Sequence, residues 1–195
     1  MRISARQIIK FTKLKITQTP LKDCFILEPS VFEDERGIFI ETFNEQTFNK
    51  ITGMSLAFVQ DNQSISTKGV LRGLHYQKGA FAQAKLVRAA RGRVLDIVVD
   101  IRKDSPTFGQ QFSIILDDVA HKQLFVPRGF AHGFITLSET SIFAYKCDNL
   151  YNKEAEGGIV FNDATLQLDW HLPHEQLIVS AKDQELPSFE KATRD

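Results

Sequence analysis

Three side chains in strand-like segments could together carry out acid–base chemistry. His75 lies in the segment VLRGLHYQ, and an imidazole, with a reference pKa of about 6.5, accepts and releases protons near neutral pH. Tyr145 could donate a proton from the opposite side of a substrate, because a phenol with a reference pKa of about 10 stays protonated. Lys85 could stabilise an oxyanion in a dry pocket. Each residue alone is more often structural, so only their combination favours catalysis.

Two arginines could bind phosphate groups. Arg36 and Arg72 carry paired N–H donors that match phosphate oxygens. Strict alternation along VLRGLHYQ puts Arg72 and His75 on opposite faces of a strand. Gly73 lies between them and is a natural place for a β-bulge, which would turn both side chains the same way. We therefore predict a bulge at Gly73.

Metal, nucleophilic and phosphate-loop sites are poorly supported. None of the five histidines forms a His-x-His pair, a spacing that a strand-borne metal site would use. There is no Gly-x-Ser-x-Gly elbow, and neither Cys24 nor Cys147 has the basic surroundings of a reactive thiol. No Gly-rich phosphate-binding loop is present. We expect neither a metal nor an organic cofactor.

The composition predicts one domain that binds neither nucleic acid nor membranes. The 195 residues include 24 basic and 24 acidic side chains, and no apolar run approaches the roughly 20 residues that span a bilayer. Without an export signal, the two cysteines indicate reduced thiols in a cytoplasmic protein. Residues 1–12 are expected to be a basic extension, with a targeting or membrane-surface arm as the less common alternative. The domain is expected to cover residues 13–195.

The secondary-structure pattern favours a mainly β fold. Short runs rich in Val, Ile and Phe, separated by Gly, Pro, Asn and Asp, predict an antiparallel sandwich or barrel with few helices. The predicted strands are 37–42, 56–60, 69–76, 84–90, 94–101, 111–116, 123–126, 133–137 and 141–146. The best candidate helix runs from Asn44, as N-cap, to Ile51, with Phe48 on its apolar side. The second half of 150–195 is expected to wrap the barrel as loops and a short helix, which makes a few short helices in all.

Alternation within strands predicts which side chains face a cavity or solvent. In 94–101, the four odd-numbered apolar residues are expected to pack in the interior. The other face carries Asp96 and Asp100 between valines and is expected to meet bulk water or a wet cavity. Tyr145 shares a face with Phe143 and Cys147, so its phenol is expected to project from an apolar wall.

Seven stretches, in order, carry a family resemblance. They are VFEDERGIFIETFN (31–44), FVQDNQSIS (58–66), VLRGLHYQ (70–77), QAKLVRAARGRVLDIVVDIRKDSPTFGQ (83–110), VPRGFAHGF (126–134), FAYKCDNLY (143–151) and SAKD (180–183). Together they resemble the dTDP-4-dehydrorhamnose 3,5-epimerase family, the cupin-type enzymes of L-rhamnose nucleotide biosynthesis. The resemblance covers about residues 14–186 and implies a cupin-like β-sandwich or jelly-roll barrel. It also implies that residues 1–12 are an extension or follow from a mis-chosen start.

The resemblance assigns catalytic roles to four residues. It implies that His75 is the base that removes protons next to a C4 keto group, with Asp183 of SAKD as its partner. Tyr145 would be the acid that returns the proton on the other face. Lys85 would stabilise the enolate oxygen.

Further residues are implied to bind the substrate. His132 and Arg72 would lie near the sugar and diphosphate, and Asp96 would orient His132 or a base. The resemblance implies that Phe32, Arg36 and Glu41 lie in the nucleotide-binding region. Gln60 and Asn62 are implied to be further ligand contacts, and Tyr151 to be an aromatic over the ligand. Leu150 stands where an aromatic is usual, and Phe161 stands where Trp is common, so substrate detail is less constrained than reaction class.

The implied reaction inverts C3 and C5 of dTDP-4-dehydro-6-deoxy-D-glucose through an enolate and gives dTDP-4-dehydro-L-rhamnose. The implied partner is this small dTDP-sugar, and the implied assembly is a homodimer that exchanges an N-terminal strand. Three alternatives stay open: a C3-only epimerase, a 3,4-ketoisomerase on the same nucleotide sugar, and a non-catalytic sugar-binding cupin. Histidine spacing disfavours a fourth, a metal-dependent cupin oxygenase.

Overall fold

Two packed β-sheets form the body of the protein. The computed structural model describes residues 14–194, so the predicted extension at 1–12 lies outside the described residues. The strands are β1 (Lys15–Gln18), β2 (Phe25–Glu28), β3 (Val31–Asp34), β4 (Gly37–Ile40), β5 (Gln60–Thr67), β6 (Val70–Gln77), β7 (Lys85–Arg91), β8 (Arg93–Asp100), β9 (Gln111–Asp117), β10 (Gln123–Val126), β11 (Phe130–Thr136), β12 (Thr140–Cys147), β13 (Glu156–Gly158) and β14 (Ile178–Val179). The α-helices are α1 (Glu45–Thr52), α2 (Ala181–Gln184) and α3 (Phe189–Ala192), and 3₁₀ turns cover Gly79–Phe81 and His174–Gln176.

The strand order defines two walls. Sheet I has the order β1-β2-β10-β7-β12-β5, and sheet II has the order β13-β6-β11-β8-β9, with β14 paired to β6. Strands β3 and β4 form a separate hairpin. The pairings are antiparallel apart from β14 with β6. The predicted mainly β, antiparallel sandwich is therefore confirmed.

The predicted helix is confirmed as α1. The Asn44 side chain accepts a hydrogen bond from the Thr47 backbone N–H at 3.0 Å, which caps the helix, and Phe48 is buried. The strand predicted at 56–60 is wrong, since pairing begins only at Gln60 and the preceding residues form a loop. That loop is fixed by the Asn49 side chain, which bonds the backbone N–H and carbonyl of Leu56.

The predicted bulge at Gly73 is confirmed. His132 of β11 pairs with His75, but Phe134 pairs with Arg72, so β6 carries one extra residue between the two pairs. Gly73 has a left-handed φ of 118°, and a Cβ there would lie 2.7 Å from the His132 carbonyl oxygen. The bulge turns Arg72 and His75 toward the same cavity between the sheets.

The expectation that one face of β8 meets water is wrong. Val94, Asp96, Val98 and Asp100 are all fully buried, because this face points between the two sheets. The other face of β8 packs under the C-terminal segment, against residues that include Trp170. Both faces of the strand are thus covered, and its two carboxylates bond to other side chains instead of water.

The C-terminal segment brings a carboxylate to the cavity. β14 runs parallel to β6, with Val179 opposite Leu71, and α2 begins two residues later. The Ser180 side chain caps α2 by accepting from the Asp183 backbone N–H at 3.1 Å. Asp183 therefore lies beside β6 although 108 residues separate it from His75 in the sequence.

Candidate active site

A cavity of about 710 Å³ opens between the two sheets. One wall comes from β5, β7 and β12 of sheet I, and the other from β6, β11, β13 and α2. This volume lies within the range of small-molecule sites, about 300–1,000 Å³. Nine of the twelve predicted site residues line it: Gln60, Asn62, Arg72, His75, Lys85, His132, Tyr145, Tyr151 and Asp183.

His75 and Asp183 form a hydrogen-bonded pair on the sheet II wall. Asp183 Oδ1 lies 2.8 Å from His75 Nε2, and Asp183 Oδ2 accepts from the Gly73 backbone N–H at 3.1 Å. Burial acts to raise the pKa of Asp183, but the bond and charge of His75, with bonds from Gly73 and Ser180, hold that pKa below its usual range. The carboxylate is therefore ionised, and the imidazole, 30% exposed, faces the cavity.

A second histidine–aspartate pair lies beside the first. His132 Nε2 is 2.8 Å from Asp96 Oδ2, and His132 is the strand partner of His75 across β6 and β11. The His132 side chain is only 7% exposed, and that of Asp96 is fully buried. Asp96 Oδ1 has no hydrogen-bond partner within residues 14–194. The pair fixes the orientation of the His132 ring at the inner end of the cavity.

Sheet I places Tyr145 and Lys85 on the opposite wall. Burial raises the pKa of the Tyr145 phenol, with Cys147 adding to the rise and Arg72 opposing it. Burial also lowers the pKa of the Lys85 ammonium, against the nearby charges of Cys147, Asp96 and Glu156. The contact of Lys85 Nζ with the His75 carbonyl oxygen is long, at 3.5 Å. A phenol that keeps its proton and a desolvated amine thus face His75 across the cavity.

Gln60 and Asn62, the predicted ligand contacts on β5, are hydrogen-bonded to each other, and Gln60 is also hydrogen-bonded to Tyr151 at the rim of the cavity. Gln60 Nε2 donates to Asn62 Oδ1 at 3.0 Å, and Gln60 Oε1 accepts from the Tyr151 backbone N–H at 3.0 Å. Arg72 Nε donates to Ser66 Oγ at 3.3 Å. These amides and the guanidinium retain unused donors toward the cavity, as polar ligand groups require.

Three predicted site residues do not line this cavity. Phe32, Arg36 and Glu41 lie on or next to the β3–β4 hairpin, away from the wall residues. The Arg36 guanidinium is 86% exposed and forms an ion pair with Asp34 at 2.5 Å. One chain alone therefore does not bring this part of the predicted site to His75.

Two cavity residues were missed from the sequence. Glu156 Oε2 accepts from Lys182 Nζ at 2.6 Å and from the Tyr151 hydroxyl at 3.0 Å, so it joins three elements at the cavity mouth. Lys182 precedes Asp183 in SAKD, which was a usable signal. Glu156 precedes Gly157, where a Cβ would lie 2.6 Å from the Tyr76 ring, so this glycine marks a close approach of β13 to β6.

No group of three or more His, Cys, Asp or Glu side chains in residues 14–194 is placed to hold a metal ion. No helix in the same range is long and apolar enough to cross a membrane. Cys24 and Cys147 are both buried free thiols, and burial raises their pKa values to about 12 and about 11.

Known proteins resemble this chain over nearly its whole length. The sequence model of a family described as dTDP-4-dehydrorhamnose 3,5-epimerase matches residues 18–191. A dTDP-4-dehydrorhamnose 3,5-epimerase of Salmonella typhimurium strain LT2 is 51% identical over 178 residues, which cover 91% of this chain and 96% of that protein.

Solved structures of such enzymes share the fold. The dTDP-4-dehydrorhamnose 3,5-epimerase of Elizabethkingia anophelis NUHP1 is 54% identical, with a TM-score of 0.89 over 93% of this chain and 100% of that chain. The dTDP-6-deoxy-D-glucose-3,5-epimerase of Legionella pneumophila Philadelphia 1, in complex with dTDP-4-keto-L-rhamnose, is 44% identical. Its TM-score is 0.87 over 91% of this chain and 93% of that chain. The resemblance drawn from the seven sequence stretches is confirmed, and the chain belongs to the dTDP-4-dehydrorhamnose 3,5-epimerase family.

Proposed function

We propose that this chain is an isomerase that inverts C3 and C5 of dTDP-4-dehydro-6-deoxy-D-glucose to give dTDP-4-dehydro-L-rhamnose. One observation carries the proposal: in a chain of this family, the His75–Asp183 pair faces Tyr145 and Lys85 across one cavity. A base on one wall and an acid on the other are what inversion requires, because the proton leaves one face of a carbon and returns to the other.

Each inversion then proceeds in two proton transfers. The C4 ketone acidifies the C3–H and C5–H bonds. His75 Nδ1, the ring nitrogen that Asp183 does not hold, takes one of these protons, while Asp183 on Nε2 stabilises the imidazolium. The C–H electron pair forms the carbon–carbon double bond of an enolate, and the former carbonyl pair moves to the C4 oxygen. The Lys85 ammonium stabilises that oxygen. The Tyr145 phenol gives its proton to the opposite face, which restores the ketone with the carbon inverted. His75 then loses its extra proton to water and the Tyr145 phenolate regains one from water before the second inversion.

The remaining contacts bind the nucleotide sugar. Gln60, Asn62, Arg72 and His132 line the cavity and would contact the sugar and diphosphate. The exposed Tyr151 ring would lie over the ligand. The ketone itself accepts the electron pair, so the reaction has no net redox change.

Two buried free thiols accord with a cytoplasmic location.

The active form is a homodimer in which the hairpin of one chain completes the cavity of its partner. Ile38 and Phe39 on this hairpin are 54% and 67% exposed, which suits a surface that another chain covers. Phe32, Arg36 and Glu41 would then reach the nucleotide in the partner's cavity. A solution mass near the 22.1 kDa of one chain, from light scattering, would contradict the dimer.

The test of the reaction is proton exchange in deuterated water. The protein is incubated with dTDP-4-dehydro-6-deoxy-D-glucose, and the sugar protons are followed by NMR. Deuterium at both C3 and C5, with formation of the L-sugar, is the expected result. Exchange at C3 alone would indicate a C3-only epimerase, and a keto group moved to C3 would indicate a ketoisomerase. Binding of the nucleotide sugar without any exchange would leave a non-catalytic module.

A further inference from the structure

Glu156 joins three separate elements at the cavity mouth. It lies on β13 opposite Gln77, two residues before Gly158, which pairs with His75. Its Oε2 atom accepts hydrogen bonds from both the Lys182 ammonium and the Tyr151 hydroxyl. Burial acts to raise the pKa of Glu156, but these two bonds, with the charges of Lys182 and His75, hold the pKa below its usual range. A carboxylate, and not a carboxylic acid, therefore holds the three elements together.

The element that carries Asp183 has little support of its own. Helix α2 is a single turn, and one turn gains too few hydrogen bonds to hold its position unaided. Its side chains attach it at two points: Asp183 contacts His75 and Gly73, and Lys182 contacts Glu156. Because Lys182 and Asp183 are adjacent, the ion pair with Glu156 constrains how α2 lies against β6, in addition to the β14–β6 pairing just before the helix.

We propose that Glu156 is a positioning residue for the base. Through Lys182 it holds α2 so that the Asp183 carboxylate stays on His75 Nε2, and the Tyr151 hydroxyl in turn fixes Glu156. The inference rests on the proposed function, since it concerns the residue that removes the proton. It links the rim of the cavity to the histidine that performs the chemistry.

The ion pair is better placed to control geometry than to stabilise the fold. The Lys182 side chain is 61% exposed, and exposed ion pairs add little to the free energy of unfolding. Small misplacements of a reacting group, however, can reduce turnover by up to about 100-fold. Loss of Glu156 should therefore change kcat much more than it changes thermal stability.

A double-mutant cycle tests whether Glu156 acts through Asp183. Glu156→Gln should lower kcat roughly 10-fold with little change in KM, and it should cost less than about 2-fold in an Asp183→Asn background. Lys182→Met should reproduce the loss, and Lys182→Arg should restore most of it because the ion pair is retained. Glu154→Gln and Lys153→Met, at exposed neighbouring positions, are the matched controls and should leave kcat unchanged.

The Gly73 amide supplies a readout that does not depend on activity. Its N–H donates to Asp183 Oδ2, so hydrogen exchange at this amide reports the position of the carboxylate. Exchange should be faster in Glu156→Gln and Lys182→Met than in the wild type or the two controls.

Three results would overturn the proposal. An undiminished effect of Glu156→Gln in the Asp183→Asn background would show that Glu156 acts independently of Asp183. An effect confined to KM would show that Glu156 acts on the ligand, directly or through Tyr151. The third is unchanged exchange at Gly73. If the wild type itself showed no turnover, the proposed function would fail, and the exchange measurement would still decide whether Glu156 positions Asp183.

Discussion

The two walls of the cavity prepare their reactive groups by different physical means. On the sheet II wall, His75 and His132 each lie 2.8 Å from an aspartate. On the sheet I wall, Tyr145 makes no side-chain hydrogen bond within residues 14–194, and the contact of Lys85 is long, at 3.5 Å. On that wall, burial is the main cause of both the raised pKa of Tyr145 and the lowered pKa of Lys85. A paired charge thus sets the environment of His75, and desolvation sets those of Tyr145 and Lys85.

This difference predicts which kind of substitution affects the reactive groups on each wall. A paired histidine depends on its carboxylate, so substitutions on sheet II should act through a specific hydrogen bond. Groups prepared by desolvation respond to any nearby change in charge, because a buried site is poorly screened.

Removal of the base should have the largest effect. His75→Ala should lower kcat by about 10²- to 10⁴-fold, the usual contribution of a general base, and leave the affinity for dTDP nearly unchanged. Steady-state kinetics and calorimetric titration with dTDP measure the two quantities. Thermal unfolding checks that the variant folds. Turnover at the wild-type rate would remove His75 from the mechanism.

Removal of the acid should change products as well as rate. Tyr145→Phe deletes a phenol that makes no bond within the described residues, so the fold should be unaffected. Return of the proton should slow by about 10²-fold or more, and the enolate can then be protonated from the side of His75. NMR in deuterated water should show deuterium incorporated with retention at C3 or C5. The same rate and the same product as the wild type would rule out Tyr145 as the acid.

How far the sequence predicted this site depends on how local each feature is. The bulge that turns Arg72 and His75 together was predictable, because Gly73 lies between them in one strand. The burial of Asp96 was not, because a polar residue in an alternating strand usually faces water. Here the inner face of β8 meets sheet I and its outer face is covered by residues near Trp170, far along the chain.

Glu156 was missed for the same reason. Its partners are Lys182, 26 residues away, and Tyr151, on a loop whose position depends on Gln60 of another strand.

The β3–β4 hairpin shows a different limit, which is that one chain alone does not place every predicted site residue in the cavity. Family resemblance implied that Arg36 binds the nucleotide, but one chain leaves it exposed beside Asp34. Its role therefore stays a prediction that depends on a second chain.

The smallest expected effect is the change that a substitution of Asp96, on sheet II, makes in the pKa of Lys85, on sheet I. Burial lowers the pKa of Lys85, and the negative charge of Asp96 is one of the groups that oppose this fall. Asp96→Asn removes that charge, so the pKa of Lys85 should fall further, and its proton should be lost at lower pH. If the charged form stabilises the enolate, the alkaline limb of the kcat/KM profile should move to lower pH. Asp104→Asn, an exposed substitution, should leave the limb in place.

A second variant assigns the limb to Lys85. In Lys85→Arg the guanidinium stays charged across the accessible pH range, so the alkaline limb should move upward and should no longer respond to Asp96→Asn. Burial raises the pKa of Tyr145, so loss of the phenol proton should limit the rate only at still higher pH. A limb that stays in place in Lys85→Arg, or that Asp96→Asn moves upward, would contradict desolvation as the means by which sheet I prepares its cation. Asp96 would then act on catalysis through His132 alone, as a paired charge of the sheet II wall.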